Sequence, residues 1–322
     1  MKAIVQDAYG STDLLELRDI DRPVPGDDEV LVEVRAAGVG PEVWHLMTGR
    51  PYVARVALGL RKPKNPVRGW DGAGRVEAVG AKVTDFKPGD EVFGNCDGSF
   101  AEYACAKAAR LALKPAGLSF EQAAALPVSG MTALQALSGK ARPRPGQSVL
   151  VIGASGGVGA YAVQLATMYG AEVTGVCGPT GADFVRSQGA THVIDYTREE
   201  ITDGPHRYDV IVDNAGLRPL PLLRRALTPR GTLVIVGGEG GTGFFGGMSR
   251  GLRAVLLSPF IAQNLRNLIS VSRREDLLTL KDLAEKGSIT PPIDRTYPLA
   301  EAPAAIRHLE NDHPRGKLVV TI

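Results

Sequence analysis

The clearest chemical signature in the chain is Gly153-Ala-Ser-Gly-Gly-Val-Gly159, a glycine run directly behind the apolar stretch Val149–Ile152. Glycine lets the backbone approach a pyrophosphate closely. A helix that opens at the same point offers unpaired N–H groups and the positive end of its dipole. The spacing G-x-x-G-x-x-G between a strand and a helix therefore reads as a dinucleotide-binding turn, with Gly153, Ser155, Gly156, Gly157, Val158 and Gly159 as its contacts. A purely structural turn is the competing reading. An acid at the end of the next strand would hold the ribose 2′-hydroxyl of NAD. Here that stretch is Val176-Cys-Gly-Pro-Thr-Gly181, with no carboxylate before Asp183. The open position points to NADPH, with weak NAD binding as the alternative, and places Cys177 and Gly178 among the cofactor contacts. Asn214 and Gly237 complete that set on the same segment.

Other reactive side chains are few. His45, beside Trp44 in a helical stretch, has a reference pKa suited to proton transfer; a helix-surface histidine is the bland reading. Cys96, Cys105 and Cys177 are too few for a disulfide framework and suit a reducing compartment. Cys177 reads as a small packing group rather than a nucleophile. With 37 Lys and Arg against 35 Asp and Glu, the chain projects no field for nucleic acid or an anionic membrane. The first ten residues lack the apolar core of a signal peptide. The uncharged run from Pro145 to Ala171 is broken by the glycine loop, and Ala254–Leu265 is too short to span a bilayer. A cytoplasmic protein with no membrane or nucleic-acid partner is expected.

These residues need two kinds of support. Up to Cys105 the chain alternates short strand patterns, Lys2–Gln6, Val30–Ala36, the glycine-bent Gly72–Gly80 and Phe100–Cys105, which suggests a barrel-like domain. Ser119-Phe-Glu-Gln122 has the form of a capping box before an Ala-rich helix. From Ser148 apolar strands alternate with helical stretches: Val149–Ile152, Gly157–Tyr169, Glu172–Val176, Ala182–Gln188, then His192–Ile194, Val210–Val212 and Thr232–Val236. That alternation implies βαβ units and a parallel sheet. Gly237–Gly251 reads as a glycine-rich loop beside a site, helical stretches follow, and Leu318–Ile322 is a closing strand. Twenty of the 39 glycines fall between Gly146 and Gly247, so the excess belongs to this second pattern.

Taken together, Ala36-Ala-Gly-Val-Gly-Pro41, Gly69-Trp-Asp-Gly-Ala-Gly-Arg-Val-Glu-Ala-Val-Gly80, Lys87-Pro-Gly-Asp-Glu-Val-Phe-Gly94, Phe100-Ala-Glu-Tyr103, Ala124-Ala-Leu-Pro127, Met131-Thr-Ala-Leu134, the glycine loop and Arg315-Gly-Lys-Leu-Val319 carry a family likeness over nearly the whole chain. The chain resembles the medium-chain dehydrogenase/reductase superfamily, in its zinc-free quinone oxidoreductase-like branch. The resemblance implies an α/β protein: a discontinuous GroES-like β-barrel catalytic domain over 1–122 and 270–322, and an inserted Rossmann doubly wound parallel-sheet domain over 123–269. It also implies a cofactor cleft between them and a homodimer joined through the Rossmann sheets.

The resemblance also assigns roles. Zinc members carry Cys, His and Cys as catalytic ligands; the matching positions here are Gly40, Trp70 and Val128, none with a donor, so no metal is expected. Tyr52, three residues after Gly49, matches a tyrosine of related enoyl reductases and stands with His45 as a candidate proton donor. Thr132 falls near the nicotinamide, and Tyr196 and Lys317 match positions that face a 2′-phosphate, although the usual Ser-Thr pair is Gly178-Pro179 here. The family's Asn-Pro is Gly40-Pro41, and its following Asp is Val43. Trp44, Trp70, Phe244, Phe245 and Met248 are candidate walls of an apolar pocket, with core packing as the alternative for both tryptophans. Without a Lewis acid, such a site can still pass hydride from NADPH to a conjugated acceptor, an enone, enoyl compound or quinone, by orientation and hydrogen bonding to the developing oxyanion. The alternatives are a zinc-free alcohol or carbonyl dehydrogenase and a non-catalytic NADPH-binding protein, RNA-binding relatives included.

Overall fold

The computed structural model describes residues 1–237 and 248–322. The chain begins with β1 (Lys2–Val5), β2 (Glu16–Asp19) and the long β3 (Glu29–Val39), followed by helices α1 (Pro41–Thr48) and α2 (Arg55–Leu58). Four strands come next, β4 (Asp71–Val79), β5 (Glu91–Asn95), β6 (Tyr103–Lys107) and β7 (Leu111–Leu113), then α3 (Phe120–Ala124) and α4 (Pro127–Ala136). The alternating segment runs β8 (Ser148–Ile152), α5 (Gly157–Met168), β9 (Glu172–Cys177), α6 (Ala182–Ser187), β10 (His192–Asp195), β11 (Tyr208–Asp213), α7 (Leu220–Ala226), β12 (Leu227–Ile235), α8 (Met248–Leu257) and β13 (Asn264–Asn267). Last come α9 (Arg274–Glu285), β14 (Ile293–Pro298), α10 (Ala302–Asn311) and β15 (Lys317–Thr321).

These elements form two compact units, one of Met1–Met131 with Ser272–Ile322 and the other of Thr132–Val271. The first exit comes nine residues later than the sequence pattern places it. The reason is burial: Ala123, Ala124, Ala125 and Leu126 have no exposed surface, and α3 packs on β3 and β4 of the first unit. The capping box forms as expected, with the Ser119 side chain accepting from the Gln122 N–H and the Gln122 side chain accepting in return.

In the first unit the sheet order is β14-β15-β3-β4-β5-β7, with β6 also on β3. β3 is the spine: Glu29–Glu33 pairs with β6, Val30–Ala37 with β4 and Ala36–Val39 with β15. Two register shifts bend β3 against β4. At Gly74 a Cβ would stand 2.0 Å from the Glu33 carbonyl, so glycine permits this close approach. β15 returns from the far end of the chain and lies antiparallel to β3, with Leu318 opposite Val39.

The second unit holds six parallel strands in the order β10-β9-β8-β11-β12-β13. Counted within the unit this is 3-2-1-4-5-6, the doubly wound order whose direction reverses between its first and fourth strands. Val149–Val151 and Ile211–Val212 are fully buried, as central parallel strands require. Three expectations change here and nearby. Met248–Gly251 opens α8 rather than continuing a loop, anchored by the Arg250–Asp213 ion pair at 2.6 Å. Strands β13 and β14 come from stretches with no clear strand pattern. β6 starts at Tyr103, because Phe100 and Ala101 serve β1 instead, through the Phe100 carbonyl and an Ala3–Ala101 bridge. Phe244 and Phe245 lie outside the described residues.

Candidate functional site

In the second unit the residues singled out for cofactor binding come together. Parallel strands put their carboxyl ends on one edge, so Gly153 follows β8, Cys177 ends β9, Tyr196 follows β10, Asn214 follows β11 and Gly237 follows β12 along one line. Gly153 adopts φ +74°, a left-handed turn glycine reaches without strain, and faces Asn214. Gly159 allows helix and strand to pack: a Cβ there would meet the Gly153 carbonyl at 2.0 Å. At Gly156 a Cβ would make only an ordinary contact, 3.6 Å from the Gly153 carbonyl. Gly156 caps α5 with no side-chain bond, which leaves the N–H groups of the first turn, from Gly157 and Val158, without a side-chain acceptor. This cradle suits a pyrophosphate.

The rest of that edge fits a dinucleotide in the same way. The Tyr196 ring is half exposed and lies beside Gly178, 3.4 Å from where a Cβ would stand. Cys177 is buried, and burial raises its thiol pKa, so it packs rather than reacts. Asn214 donates its amide to the Ile152 carbonyl at 3.1 Å, while its buried Oδ1 has no partner among the described residues. An orphaned acceptor at the strand switch point fits a hydrogen-bond donor of a dinucleotide. Thr132 is buried on α4.

Lys317 goes elsewhere. It is 2 % exposed, on β15 of the first unit, in electrostatic reach of Asp71. A buried ammonium beside a carboxylate does not form a surface site for a 2′-phosphate, and the expectation drawn from its position is corrected accordingly.

In the first unit Gly40, Trp70 and Val128 converge on a small polar cluster. A Cβ on Gly40 would meet the Glu42 carboxylate at 2.4 Å, so the Glu42 side chain folds back over the glycine. Asp71, next to Trp70, has no exposed surface. It accepts from the Asn95 amide at 2.8 Å and from the Val128 N–H at 3.1 Å. The Ser272 hydroxyl donates to Asn95 Oδ1 at 2.6 Å and fixes that amide. Burial, then the nearby Glu42 charge, push the Asp71 pKa up to about 8, against the lowering effect of Lys317 and its two donors. Neither Glu42 nor Asp71 was singled out from the sequence. The signal was their place, two residues after Gly40 and one after Trp70.

The other expected residues are placed less tightly. His45 hydrogen-bonds through Nδ1 to the Arg50 carbonyl at 2.8 Å and meets Trp44 edge-on at 5.1 Å. Tyr52 is 40 % exposed, with the Arg55 guanidinium 4.8 Å from its ring centre. Trp44 packs partly against the core around Met47 and Phe100, whereas Trp70 is half-buried under the Arg110 guanidinium at 5.2 Å. Met248 begins α8 and its side chain is outside the described residues.

Comparison with known proteins decides the family. The alcohol dehydrogenase GroES-like domain matches residues 26–116, and a zinc-binding dehydrogenase domain matches 188–320. An NADPH-dependent alkenal/one oxidoreductase of Arabidopsis thaliana is 33% identical over 335 residues, covering 99% of this chain and 79% of its own. The chain belongs to the medium-chain dehydrogenase/reductase superfamily, in its quinone oxidoreductase-like branch. Its first unit is the GroES-like domain and its second the Rossmann domain. The quinone oxidoreductase of Coxiella burnetii superposes with a TM-score of 0.87 at 29% identity, over 100% of this chain and 99% of that one. The Escherichia coli quinone oxidoreductase, solved with NADPH, superposes at 0.86 and 25% identity over 100% of both chains.

Zinc, implied by the matched domain's description, does not fit the residues present. Gly40 and Val128 have no donor side chain, and Val128 spends its N–H on Asp71. No three His, Cys, Asp or Glu side chains among the described residues are grouped for a metal. Glu42 and Asp71 remain, and Lys317 acts electrostatically on Asp71. Among the described residues no helix is long and apolar enough to cross a membrane.

Proposed function

We propose that the chain is an NADPH-dependent reductase that reduces a conjugated acceptor, an enone, enoyl compound or quinone, without zinc. One observation carries this reading: the glycine turn from Gly153 to Gly159 stands at the carboxyl edge of the parallel sheet, in a chain whose positions matching the zinc ligands of relatives are Gly40, Trp70 and Val128. NADPH, when bound, supplies the hydride. The loop from Gly153 to Gly159 would hold its pyrophosphate, and Asn214 Oδ1 would accept from a hydroxyl of the cofactor. The end of β9 has no carboxylate in its own sequence, Asp195 being supplied by β10 opposite Cys177, and the 2′-phosphate would lie beside Tyr196. Without a metal to polarise an isolated carbonyl, reduction depends on an acceptor whose own conjugation carries electrons to oxygen. The activities named for the Arabidopsis and Escherichia coli relatives support this choice.

The test is NADPH against NADH oxidation over a panel of enones, quinones and saturated ketones, with product identification. Saturated carbonyls and hydroquinones formed from NADPH are expected. An alcohol formed from a saturated ketone, or one stoichiometric zinc per chain, overturns the reading. Tyr52 and His45 stand as candidate proton donors, and His45 has only Nε2 available beyond its bond to Arg50. Trp44 and Trp70 stand as candidate pocket residues. A cytoplasmic homodimer completes the proposal. Its support is the outer edge of β13, unpaired among the described residues, beside exposed Leu252, Leu256 and Phe260.

A further inference from the structure

One guanidinium in the second unit ties together much of the edge that carries the cofactor residues. Helix α8 lies close on the sheet: a Cβ on Gly251 would stand 2.1 Å from Asn267 Oδ1 on β13, and Ala254 has no exposed surface. That seat brings Arg250, in the first turn of α8, to the carboxyl ends of β11 and β12. Arg250 Nη1 pairs with the Asp213 carboxylate at 2.6 Å and donates to the Arg218 carbonyl at 2.8 Å, while Nη2 donates to the Gly237 carbonyl at 3.2 Å. Asp213, with no exposed surface, is held from its other sides too. Its Oδ1 accepts from the Gly216 N–H at 3.2 Å, and its carbonyl accepts from the N–H groups of Val236 and Gly237. Both residues act on Asn214. The Asn214 N–H and side-chain amide donate to the Ile152 carbonyl at the end of β8, each at 3.1 Å. Gly237 packs so tightly on it that a Cβ there would stand 1.9 Å from the Asn214 carbonyl. A shift of the β12 end is therefore a shift of Asn214.

We propose that Arg250 is a positioning residue for the nicotinamide half of the cofactor. The inference rests on the reductase reading above and names what holds the site of its hydride donor in place. In a doubly wound sheet of this order the dinucleotide crosses the switch point, here between β8 and β11. Its pyrophosphate lies at the turn after the first strand and its adenosine ribose at the end of the second. The adenosine half then belongs to the ends of β9 and β10, where Tyr196 stands, and the other half to the ends of β11 and β12, where Asn214 and Gly237 stand. The bonds of Arg250 among the described residues all lie on that second side. Its shape suits the task. A guanidinium is a planar fork of donors that joins a carboxylate and two carbonyls at once, whereas an ammonium is a point charge that keeps the ion pair and gives up the bridge. Asn214 Oδ1, buried and without a hydrogen-bond partner among the described residues, is the acceptor whose aim this bridge fixes. An acceptor held in place before its ligand arrives lowers the ordering cost of binding.

Two ligands separate the halves: NADPH carries both, and adenosine 2′,5′-bisphosphate carries the adenosine half alone. Removing the cation outright, as in Arg250→Met, leaves the Asp213 carboxylate buried without a counter-charge and endangers the fold. Two other variants avoid this. Arg250→Lys keeps the ion pair, and Asp213→Asn combined with Arg250→Gln removes both charges together. In each, NADPH is expected to bind about tenfold more weakly by titration calorimetry, while the affinity for the bisphosphate stays within about twofold of the wild type. The emission of bound NADPH, which arises from the nicotinamide ring, should move toward that of the free cofactor. Equal weakening of the two ligands marks a general loss of structure and overturns the proposal. So does unchanged NADPH affinity in either folded variant. A wild-type protein that binds NADPH yet reduces no enone or quinone sinks only the reductase reading, and the ratio of the two affinities still decides the role of Arg250.

Discussion

Burial drives Asp71 toward its neutral form while two hydrogen bonds and Lys317 draw it the other way, and burial wins. This has a consequence for stability as well as for chemistry. The carboxyl titrates near 8 in the fold, against an ordinary value of 3.8. Folded and unfolded chains therefore both hold the proton below that lower value, and the fold loses relative stability as pH rises between the two. Asp71→Asn removes the titration. Thermal unfolding from pH 5 to 8 should show a smaller fall in melting temperature for the variant than for the wild type, and parallel curves would refute this. The sequence hides such a residue for a plain reason. Asp71 and Glu42 lie next to positions inspected for metal donors, and their convergence depends on a strand register that pairs residues some 35 apart in sequence. The turn at Gly153–Gly159 was legible because strand end, turn and helix start form one local run.

Strands and helices obey the same division between local and distant causes. The capping box at Ser119 and the strand–loop–helix around Gly153 follow from neighbouring residues, and both form as their spacing implies. β13 does not announce itself: Asn264-Leu-Arg-Asn267 has one apolar residue and becomes a strand because β12 offers it an edge. The start of α8 was hidden similarly, since the glycines before it suggest a loop while the ion pair that fixes it reaches back to Asp213. Two glycines of one loop should respond in opposite ways to alanine. Gly159→Ala drives a methyl to within 2.0 Å of the Gly153 carbonyl, so a loss of about 1–3 kcal/mol in unfolding free energy is expected. Gly156→Ala meets nothing nearer than 3.6 Å and should keep its melting temperature. Its methyl enters the space proposed for pyrophosphate, so NADPH affinity measured by fluorescence titration should fall at least tenfold. Equal affinity in the two proteins would remove the loop from the binding site.

For the molecule as a whole, the exposed apolar residues next to an open strand edge carry a prediction about assembly. Phe260, between α8 and β13, is 83 % exposed, and Leu256, in α8, is 63 % exposed. Replacing both by Asp should leave the melting profile intact and turn a dimer into monomers in analytical ultracentrifugation; an unchanged sedimentation coefficient would place the contact elsewhere. The topology has a different consequence, one of timing. β15 pairs with β3 across almost the entire chain, and it also carries Lys317. During synthesis, residues 132–271 contain every strand of their own sheet and can fold as soon as they emerge. The first 131 residues must wait for their closing strand. The nucleotide-binding half is thus finished while the half that carries the buried Asp71 is still open, and a nascent chain can hold its cofactor before it can use it.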